Sequence, residues 1–321
     1  MEEKKVKKWL AGVGISILTV FLLTACGSGQ RSGDSNDGNE SSSETIQVTT
    51  TTGQVADVVK NVGGDQVEVT SLMGPGVDPH LYQASQGDIK KLNDADMIFY
   101  NGLHLEGKMG EIFKKMSEDK TIVAAGETIP EDMLLTADDD SNAHDPHVWF
   151  NIQAWIHAVD SVEEELTKHS PENEELFKEN AANYKQELEE MDQYAKEQIQ
   201  TIPKEGRVLV TAHDAFKYFG HAYDLEVMGL QGLSTDSEYG LKDVQSLVDT
   251  LVDSNIKAVF IESSISEKSI SAVVEGAKKQ GHEVVIGGEL FSDAMGEEGT
   301  EEGTYIGMFK HNVDTIVSSL K

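Results

Sequence analysis

The sequence predicts an α/β protein with two parallel-sheet lobes that are joined by one long, rigid helix. Short β-rich runs alternate with helical patterns both before residue 170 and after residue 203, and this alternation is typical of βαβ units. A charged segment without glycine, residues 171–202, separates the two series. We therefore expect a first lobe at residues 45–170, a connecting helix at 171–202 and a second lobe at 203–321.

The first lobe is predicted from four strand patterns and the helical patterns between them. Runs rich in β-branched residues and bounded by turn residues predict strands, and apolar residues at helical spacing predict helices. The predicted strands are Ile46–Thr52, Gln66–Leu72, Met97–Tyr100 and Thr121–Ala124. The predicted helices lie near Gln54–Val62, Ser85–Leu92 and Gly107–Met116.

The connecting helix is predicted because residues 171–202 combine dense charge with apolar residues at helical spacing. Ser170 and Pro171 offer an N-cap followed by proline at the first helical position, and Pro203 and Gly206 end the pattern. A helix of about 30 residues spans about 45 Å, which is long enough to run along both lobes. A coiled-coil seam is the alternative, but the apolar spacing is too irregular over too few heptads.

The second lobe repeats the rhythm of the first without repeating its residues. The predicted strands are Arg207–Thr211, Glu226–Leu230, Ala258–Glu262 and Glu283–Gly287. The predicted helices lie near Ala215–His221, Leu241–Ser254, Glu267–Gln280 and Tyr305–Leu320. Both lobes are therefore expected to present the carboxyl ends of parallel strands, where ligands of such sheets collect.

The first 26 residues are typical of a bacterial lipoprotein leader. Lysines precede an apolar run of 17 residues from Trp9 to Ala25, and residues 23–26 resemble a lipobox. In such a leader the signal peptide, residues 1–25, is cleaved and Cys26 is lipidated, commonly with palmitate. An uncleaved anchor helix is the alternative, but the run is at the short end for a membrane span. Cys26 is the only cysteine, which excludes an intrachain disulfide.

Residues 26–44 predict a lipidated cysteine followed by a flexible tether, because residues 27–44 contain no aliphatic or aromatic side chain. The formal net charge is −31, and since residues 1–25 hold four Lys and two Glu, the rest carries −33. Such acidity argues against nucleic acid, which requires a basic footprint. It mildly favours nearby cations, although simple solubility accounts for most of it.

The tripeptide Asp-Pro-His occurs twice, ending at His80 and at His147, in a chain with only 6 prolines and 10 histidines. Proline fixes its own φ and disfavours helix at the preceding residue. Each motif therefore directs an imidazole from a stiff loop, as a metal ligand requires when the other ligands are distant in sequence. This repetition sets His80 and His147 apart from a lone histidine, which is more often a surface or core residue.

His213 and Asp293 are the other two candidate ligands, and each lies just beyond a predicted strand of the second lobe. Their spacing alone is a weak signal. With His80 and His147 they place two candidates on each lobe, so the sequence predicts a metal site in the cleft between the lobes. The remaining histidines show no supporting context, and His144, in an acidic loop, is predicted to be exposed. Asp78, Asp145 and Asp214 are candidate acceptors behind the ligands, with N-capping as an equal alternative.

The chain resembles the metal-binding solute-binding lipoproteins of bacterial manganese and zinc ABC importers, and it is most similar to the manganese-binding lipoproteins of Gram-positive bacteria. The motifs that carry the resemblance extend from the lipobox to the C-terminus: residues 71–80, 145–150, 211–216, 229–235 and 292–296. The resemblance implies two α/β lobes, a rigid connecting helix and one metal between the lobes. It assigns the ligand role to His80, His147, His213 and Asp293.

The resemblance leaves the identity of the metal open between Mn²⁺ and Zn²⁺. Many manganese-binding members have Glu where this chain has His213, and three imidazoles with one carboxylate suit tetrahedral Zn²⁺. A bidentate Asp293 supplies a second oxygen, which moves the site toward Mn²⁺. Zinc-specialised relatives often carry a long His-rich acidic loop, whereas residues 138–144 are short and hold one histidine. We therefore favour Mn²⁺ over Zn²⁺ as the one divalent ion carried.

The resulting interpretation is a monomeric, lipid-anchored binding protein outside the cytoplasmic membrane that delivers a divalent ion to an ABC permease. The location is the extracellular face in a Gram-positive cell or the periplasmic side otherwise. A secreted metallohydrolase is the rival class, but no His-Glu-x-x-His, Ser-His-Asp or Gly-x-Ser-x-Gly pattern stands out, and four protein ligands close a metal site. We therefore expect no enzyme. An adhesin role has no specific signal in the sequence.

Overall fold

The computed structural model describes the backbone of residues 45–137 and 140–321, and their side chains apart from residues 140–142. The predicted signal peptide, the lipidation site Cys26 and the tether lie outside the described residues. Residues 45–321 belong to one compact α/β unit with parallel sheets, which confirms the predicted fold class. Among the helices of the described residues, none is both long and apolar enough to cross a membrane.

The first lobe contains a four-stranded parallel sheet in the order β2-β1-β3-β4. All four predicted strands and all three predicted helices are present, with bounds shifted by up to three residues. The elements are β1 Ile46–Thr50, α1 Gly53–Gly63, β2 Val67–Ser71, α2 Gln86–Asp94, β3 Met97–Tyr100, α3 Gly110–Met116 and β4 Thr121–Ala124. Every strand pair in this sheet is parallel, so the carboxyl ends of the strands meet at one edge.

The segment after β4 contains elements that the sequence analysis did not predict. A short antiparallel pair, β5 (Thr136–Ala137) and β6 (Asp140–His144), leads into an 18-residue helix, α4 (Ile152–His169). The side chain of Asn151 caps α4 by accepting from the amides of Gln153 and Ala154. The buried side chains of α4 recur at helical spacing, so the signal for this helix is present in the sequence.

The connecting helix is α5, Glu174–Ile199, with 26 residues. It is shorter than the predicted segment because Pro171–Asn173 form a separate 3₁₀ turn and the helix ends before Thr201. Helix α5 packs against α1 and α4 of the first lobe and against the C-terminal helix of the second. It thus runs along both lobes, as predicted. The exact lobe boundaries at residues 170 and 203 stay a prediction.

The second lobe consists of parallel strand pairs covered by helices. Strands β7 and β8 form one pair, β9 and β10 form the other, and β7 lies beside β9. The elements are β7 Val208–His213, α6 Lys217–Tyr223, β8 Glu226–Gln231, α7 Leu241–Asp253, β9 Ala258–Glu262, α8 Lys268–Lys279, β10 Val285–Leu290 and α9 Tyr305–Leu320. All eight elements were predicted, again with small shifts at their ends.

One hydrophobic cluster extends through both lobes and the connecting helix. It includes Trp149 and Trp155 of the first lobe, Leu188 of α5, and Phe216 and Phe309 of the second lobe, all fully buried. Because burial of a large apolar side chain contributes about 1.5–3 kcal/mol, this continuous core holds the two lobes firmly together. The candidate site lies next to this core.

Candidate metal centre

Four buried side chains that can ligate a metal converge in the structure. They are the four predicted candidates His80, His147, His213 and Asp293, and each offers one ligand atom within 4.8 Å of the others. The residues are at most 5% exposed. The structure therefore brings together all four candidate metal ligands, including the two with weak sequence signals. Their role as metal ligands stays a prediction.

The four candidates occupy loops or strand ends at the carboxyl edges of the two sheets. His80 lies in the loop after β2, and His147 lies between β6 and a 3₁₀ turn. His213 is the last residue of β7 rather than a residue beyond it, and Asp293 follows β10 by three residues. Two side chains from each lobe thus meet at one point.

The distances between the ligand atoms fit a small metal ion. His80 Nε2 lies 3.3 Å from His147 Nε2 and 3.7 Å from Asp293 Oδ2. His147 Nε2 lies 3.3 Å from Asp293 Oδ1, and His213 Nε2 lies 3.3 Å from Asp293 Oδ2. A tetrahedral site with metal–ligand bonds of about 2.0–2.1 Å has edges of about 3.3–3.4 Å. The spacing of the four side chains therefore matches the size of a single first-row divalent ion.

Carboxylates behind two of the histidines direct their Nε2 atoms toward the centre. Asp145 Oδ1 lies 2.7 Å from His147 Nδ1, and Glu262 Oε2 lies 2.5 Å from His213 Nδ1. A carboxylate at Nδ1 favours the tautomer with the proton on Nδ1, which leaves the Nε2 lone pair for a metal. Each carboxylate also accepts the backbone amide of the same histidine, at 2.9 and 2.8 Å.

Glu262 was missed by the sequence analysis, which treated it only as the end of a predicted strand. It is the last residue of β9, is 4% exposed and faces His213 from the neighbouring strand. The available signal was an acidic residue closing an otherwise apolar strand of Ala, Val, Phe and Ile. Sequence alone does not reveal that β7 lies beside β9, and this adjacency is what pairs the two side chains.

The three aspartates proposed behind the ligands have different roles. Asp145 accepts from the His147 ring, as described above. Asp78 instead accepts the backbone amide of His80 at 2.9 Å and the hydroxyl of Thr235, from the second lobe, at 2.6 Å. Asp214 forms an ion pair with Lys217 at 2.9 Å. Only Asp145 among the three therefore contacts a ligand imidazole.

A glycine on β8 allows close approach of the backbone that carries His213. A Cβ atom at Gly229 would lie 2.6 Å from the amide nitrogen of Asp214 and 2.7 Å from the carbonyl carbon of His213. Any side chain at this position would therefore push the His213 segment away from β8. Gly229 belongs to one of the motifs that carry the family resemblance, and this contact gives it a physical reason.

Burial and charge shift the pKa values of the cluster in opposite directions. Burial lowers the pKa of His80 to about 3 and outweighs the nearby Asp293. Burial also lowers the pKa of His147, but the charges and hydrogen bonds of Asp145 and Asp293 outweigh it and raise that pKa to about 9. For His213, Glu262 and Asp293 likewise overcome burial and raise the pKa well above its usual value.

The carboxylate of Asp293 is held ionised by the histidines around it. Burial acts to raise its pKa, but His213, His147 and His80 together lower it well below the usual value. Oδ1 faces His147 whereas Oδ2 faces His80 and His213. Both oxygens thus point into the cluster, so that a bidentate carboxylate would raise the number of donor atoms to five.

A cavity of about 220 Å³ adjoins His80 on one side of the cluster. Two further histidines, His104 and His144, line it. The prediction that His144 is exposed is wrong, because its side chain is 21% exposed and its Nε2 lies 3.1 Å from Glu131 Oε1.

Comparison with known proteins gives the family. A family model described as "ZnuA: Zinc-uptake complex component A periplasmic" matches residues 48–319. The chain belongs to this family. The match covers both lobes and the connecting helix, and therefore all four candidate ligands.

Two similar proteins are named for different metals. The chain is 55% identical over 305 residues to the manganese-binding lipoprotein MntA of Bacillus subtilis, covering 95% of this chain and 97% of that protein. It is 50% identical over 273 residues to the zinc-binding protein TroA of Treponema pallidum, covering 85% and 88%. The solved structure of the Treponema protein matches with a TM-score of 0.84 and 49% identity, covering 86% of this chain and 99% of that one.

Proposed function

We propose that this protein is the extracytoplasmic binding component of an ABC importer, which captures one divalent ion and delivers it to a membrane permease. The observation that carries the proposal is the buried cluster of three imidazole nitrogens and one carboxylate, with three of its edges at 3.3 Å. His80 and His147 bind the ion from the first lobe, and His213 and Asp293 bind it from the second. We assign the lobes to residues 45–170 and 203–321, with residues 171–202 between them.

Mn²⁺ is the favoured cargo and Zn²⁺ is the alternative. The two oxygens of Asp293 both face the cluster, and five-fold coordination with two oxygens suits Mn²⁺ better than a tetrahedral site does. The Bacillus relative is named as manganese-binding, which supports the same choice. Zn²⁺ is supported by the other three candidate ligands, which are all imidazoles. It is also supported by the Treponema relative, which is named as zinc-binding.

Uptake of the ion by cells, rather than its affinity in solution, tests which ion the protein carries. Zn²⁺ lies above Mn²⁺ in the Irving–Williams order, so tighter binding of Zn²⁺ in solution does not make it the transported ion. We expect metal analysis of the purified protein to give one divalent ion per chain. We also expect a deletion strain to lose uptake of radioactive Mn²⁺ and regain it on complementation. Loss of Zn²⁺ uptake with Mn²⁺ uptake unchanged would reverse the assignment.

The anchoring and the partners follow from the same proposal. Cys26 carries the lipid after cleavage of residues 1–25, and residues 27–44 tether the monomeric lobes to the outer face of the membrane. The partner is the permease of the importer, and four protein ligands leave no open position for catalysis. Labelling cells with a radioactive fatty acid tests the anchor, because replacing Cys26 by Ser should remove the label.

Proton competition makes metal affinity pH-dependent. In the metal-free cluster, the acidic partners of His147 and His213 raise the pKa of both rings, to about 9 in His147, so at least one proton must leave when the ion binds at neutral pH. Each competing proton lowers the apparent affinity about tenfold per pH unit below its pKa. Affinity should thus rise with pH toward 9 and fall steeply from pH 7 to 5. Calorimetry in buffers of different ionisation enthalpy measures the protons released, and a profile that is flat from pH 7 to 5 contradicts the site.

The carboxylate of Glu262 should increase metal affinity without touching the ion. Replacing Glu262 by Gln keeps an oxygen near His213 Nδ1 but removes the negative charge that makes Nε2 a stronger donor. Losses of this kind typically cost about 10–100-fold in affinity. Glu226→Gln, an exposed change at the start of β8, is the matched control. Competition against a chelator measures both variants, and equal affinity in the two would remove Glu262 from the site.

A further inference from the structure

The side chain of Asp293 is held differently from the rings of His147 and His213. His147 and His213 each have a carboxylate at Nδ1 that fixes the ring. Apart from the imidazoles of the cluster, no described residue donates a hydrogen bond to either carboxylate oxygen of Asp293. Besides those imidazoles, the orientation of this carboxylate therefore depends on its backbone and on the loop that carries it.

That loop is held by two donors from the first lobe. The carbonyl oxygen of Ser292 accepts from Trp149 Nε1 at 3.2 Å and from Gln54 Nε2 at 3.3 Å. Trp149, Gln54 and Ser292 are all fully buried. Because the peptide group is planar, fixing the Ser292 oxygen also fixes the nitrogen and Cα of Asp293.

The second lobe holds the same loop from the other side. Asn312 of α9 accepts from the amide of Phe291 at 2.9 Å and donates to its carbonyl at 2.7 Å. Tyr305, at the start of α9, donates its hydroxyl to the carbonyl of Trp149 at 2.6 Å. Trp149 thus both donates to the second lobe and accepts from it, two residues after the candidate ligand His147.

We propose that Trp149 and Gln54 are positioning residues, which hold the Ser292 carbonyl and so fix the second-lobe ligand Asp293 against the first lobe before an ion binds. Asp293 is thereby pre-assembled with His80 and His147, although it belongs to the other lobe. Loss of the two donors should free the Asp293 loop and let the ion leave faster. The metal-dependent part of this inference rests on the proposed function, whereas the ordering of the loop does not.

A pair of tryptophans provides a matched test. Trp149→Phe removes the indole donor and keeps an aromatic ring. Trp155→Phe makes the same change at another fully buried site, stacked on Tyr305, where the indole nitrogen has no hydrogen-bond partner among the described residues. Loss of one buried hydrogen bond should speed dissociation of Zn²⁺ or Mn²⁺ about three- to tenfold in Trp149→Phe. Adding Gln54→Met should raise this to about 10–100-fold, whereas Trp155→Phe should stay within about twofold.

Two measurements separate this inference from the proposed function. Stopped-flow mixing of the loaded protein with a chelator gives the dissociation rate. Hydrogen exchange of the metal-free protein gives the protection of the peptide that contains Phe291–Asp293, which should fall in Trp149→Phe and not in Trp155→Phe. If the unaltered protein binds no ion but exchange at this peptide still rises in Trp149→Phe, the proposed function is wrong and the positioning role stands. Unchanged exchange and unchanged dissociation in Trp149→Phe would overturn the positioning role. If that variant fails to fold, Gln54→Met alone is measured in the same two ways, with the same criteria.

Discussion

Replacing His147 by alanine should reduce the affinity for a divalent ion by more than about 100-fold, which exceeds the usual cost of losing a residue behind a ligand. His147 Nε2 lies 3.3 Å from both His80 Nε2 and Asp293 Oδ1, so it contacts two of the other three candidates. Its removal also leaves the fully buried Asp145 without the imidazole that it contacts at 2.7 Å. The variant therefore loses a ligand and places an uncompensated carboxylate behind the site.

The measurement is calorimetric titration of the metal-free protein with Mn²⁺ and with Zn²⁺. His221→Ala, an exposed change on α6, is the control and should bind with unchanged affinity. A thermal melt of both variants without metal distinguishes a lost ligand from a lost fold. Full affinity in a folded His147→Ala protein would exclude this imidazole as a ligand.

The fold was predictable because its strands and helices carry clear local signals. Turn residues bound each β-rich run, and the parallel topology follows from the alternation of strands and helices. Helix α4 was missed although Trp155, Val159, Val162 and Leu166 are buried on one face.

The convergence of the candidate ligands was predictable only where one short motif contained the information. Asp-Pro-His marked His80 and His147 from residue types alone, whereas His213 and Asp293 required the family resemblance. Glu262 and the donors to Ser292 could not be found in this way, because they depend on which strands and loops are neighbours. Gln54 and Ser292 are 238 residues apart in the chain, and only the packed lobes bring them together.

Replacing Asp293 by alanine should abolish the thermal stabilisation that a divalent ion gives to this protein. Binding to the native state alone adds about 4 kcal/mol at a thousandfold excess over Kd. At this size each kcal/mol raises Tm by roughly 2–4 °C, so saturating metal should raise the Tm of the unaltered protein by about 8–16 °C. Asp293 supplies the only carboxylate among the four candidates and faces His147 with one oxygen and His213 with the other. Without it, the buried ion loses the only charged ligand among the four candidates and one of the two ligands from the second lobe, so its binding weakens sharply.

The diagnostic quantity is the difference between the melts with and without metal, rather than the Tm of the variant itself. Removal of Asp293 also changes the metal-free protein, because its carboxylate contributes to the raised pKa of His147 and His213. Those rings then hold their protons less firmly, and this effect on its own would favour metal binding at neutral pH. The weaker proton binding of these rings would by itself keep or increase the rise in Tm that metal produces. If that rise is nevertheless lost in Asp293→Ala, Asp293 is a ligand and not merely a neighbouring charge. Asp249→Ala, at an exposed site on α7, should retain the full shift. If Asp293→Ala also retained it with both Mn²⁺ and Zn²⁺, the ion could not be held by this residue, and the reason for placing it between the lobes at this loop would be lost.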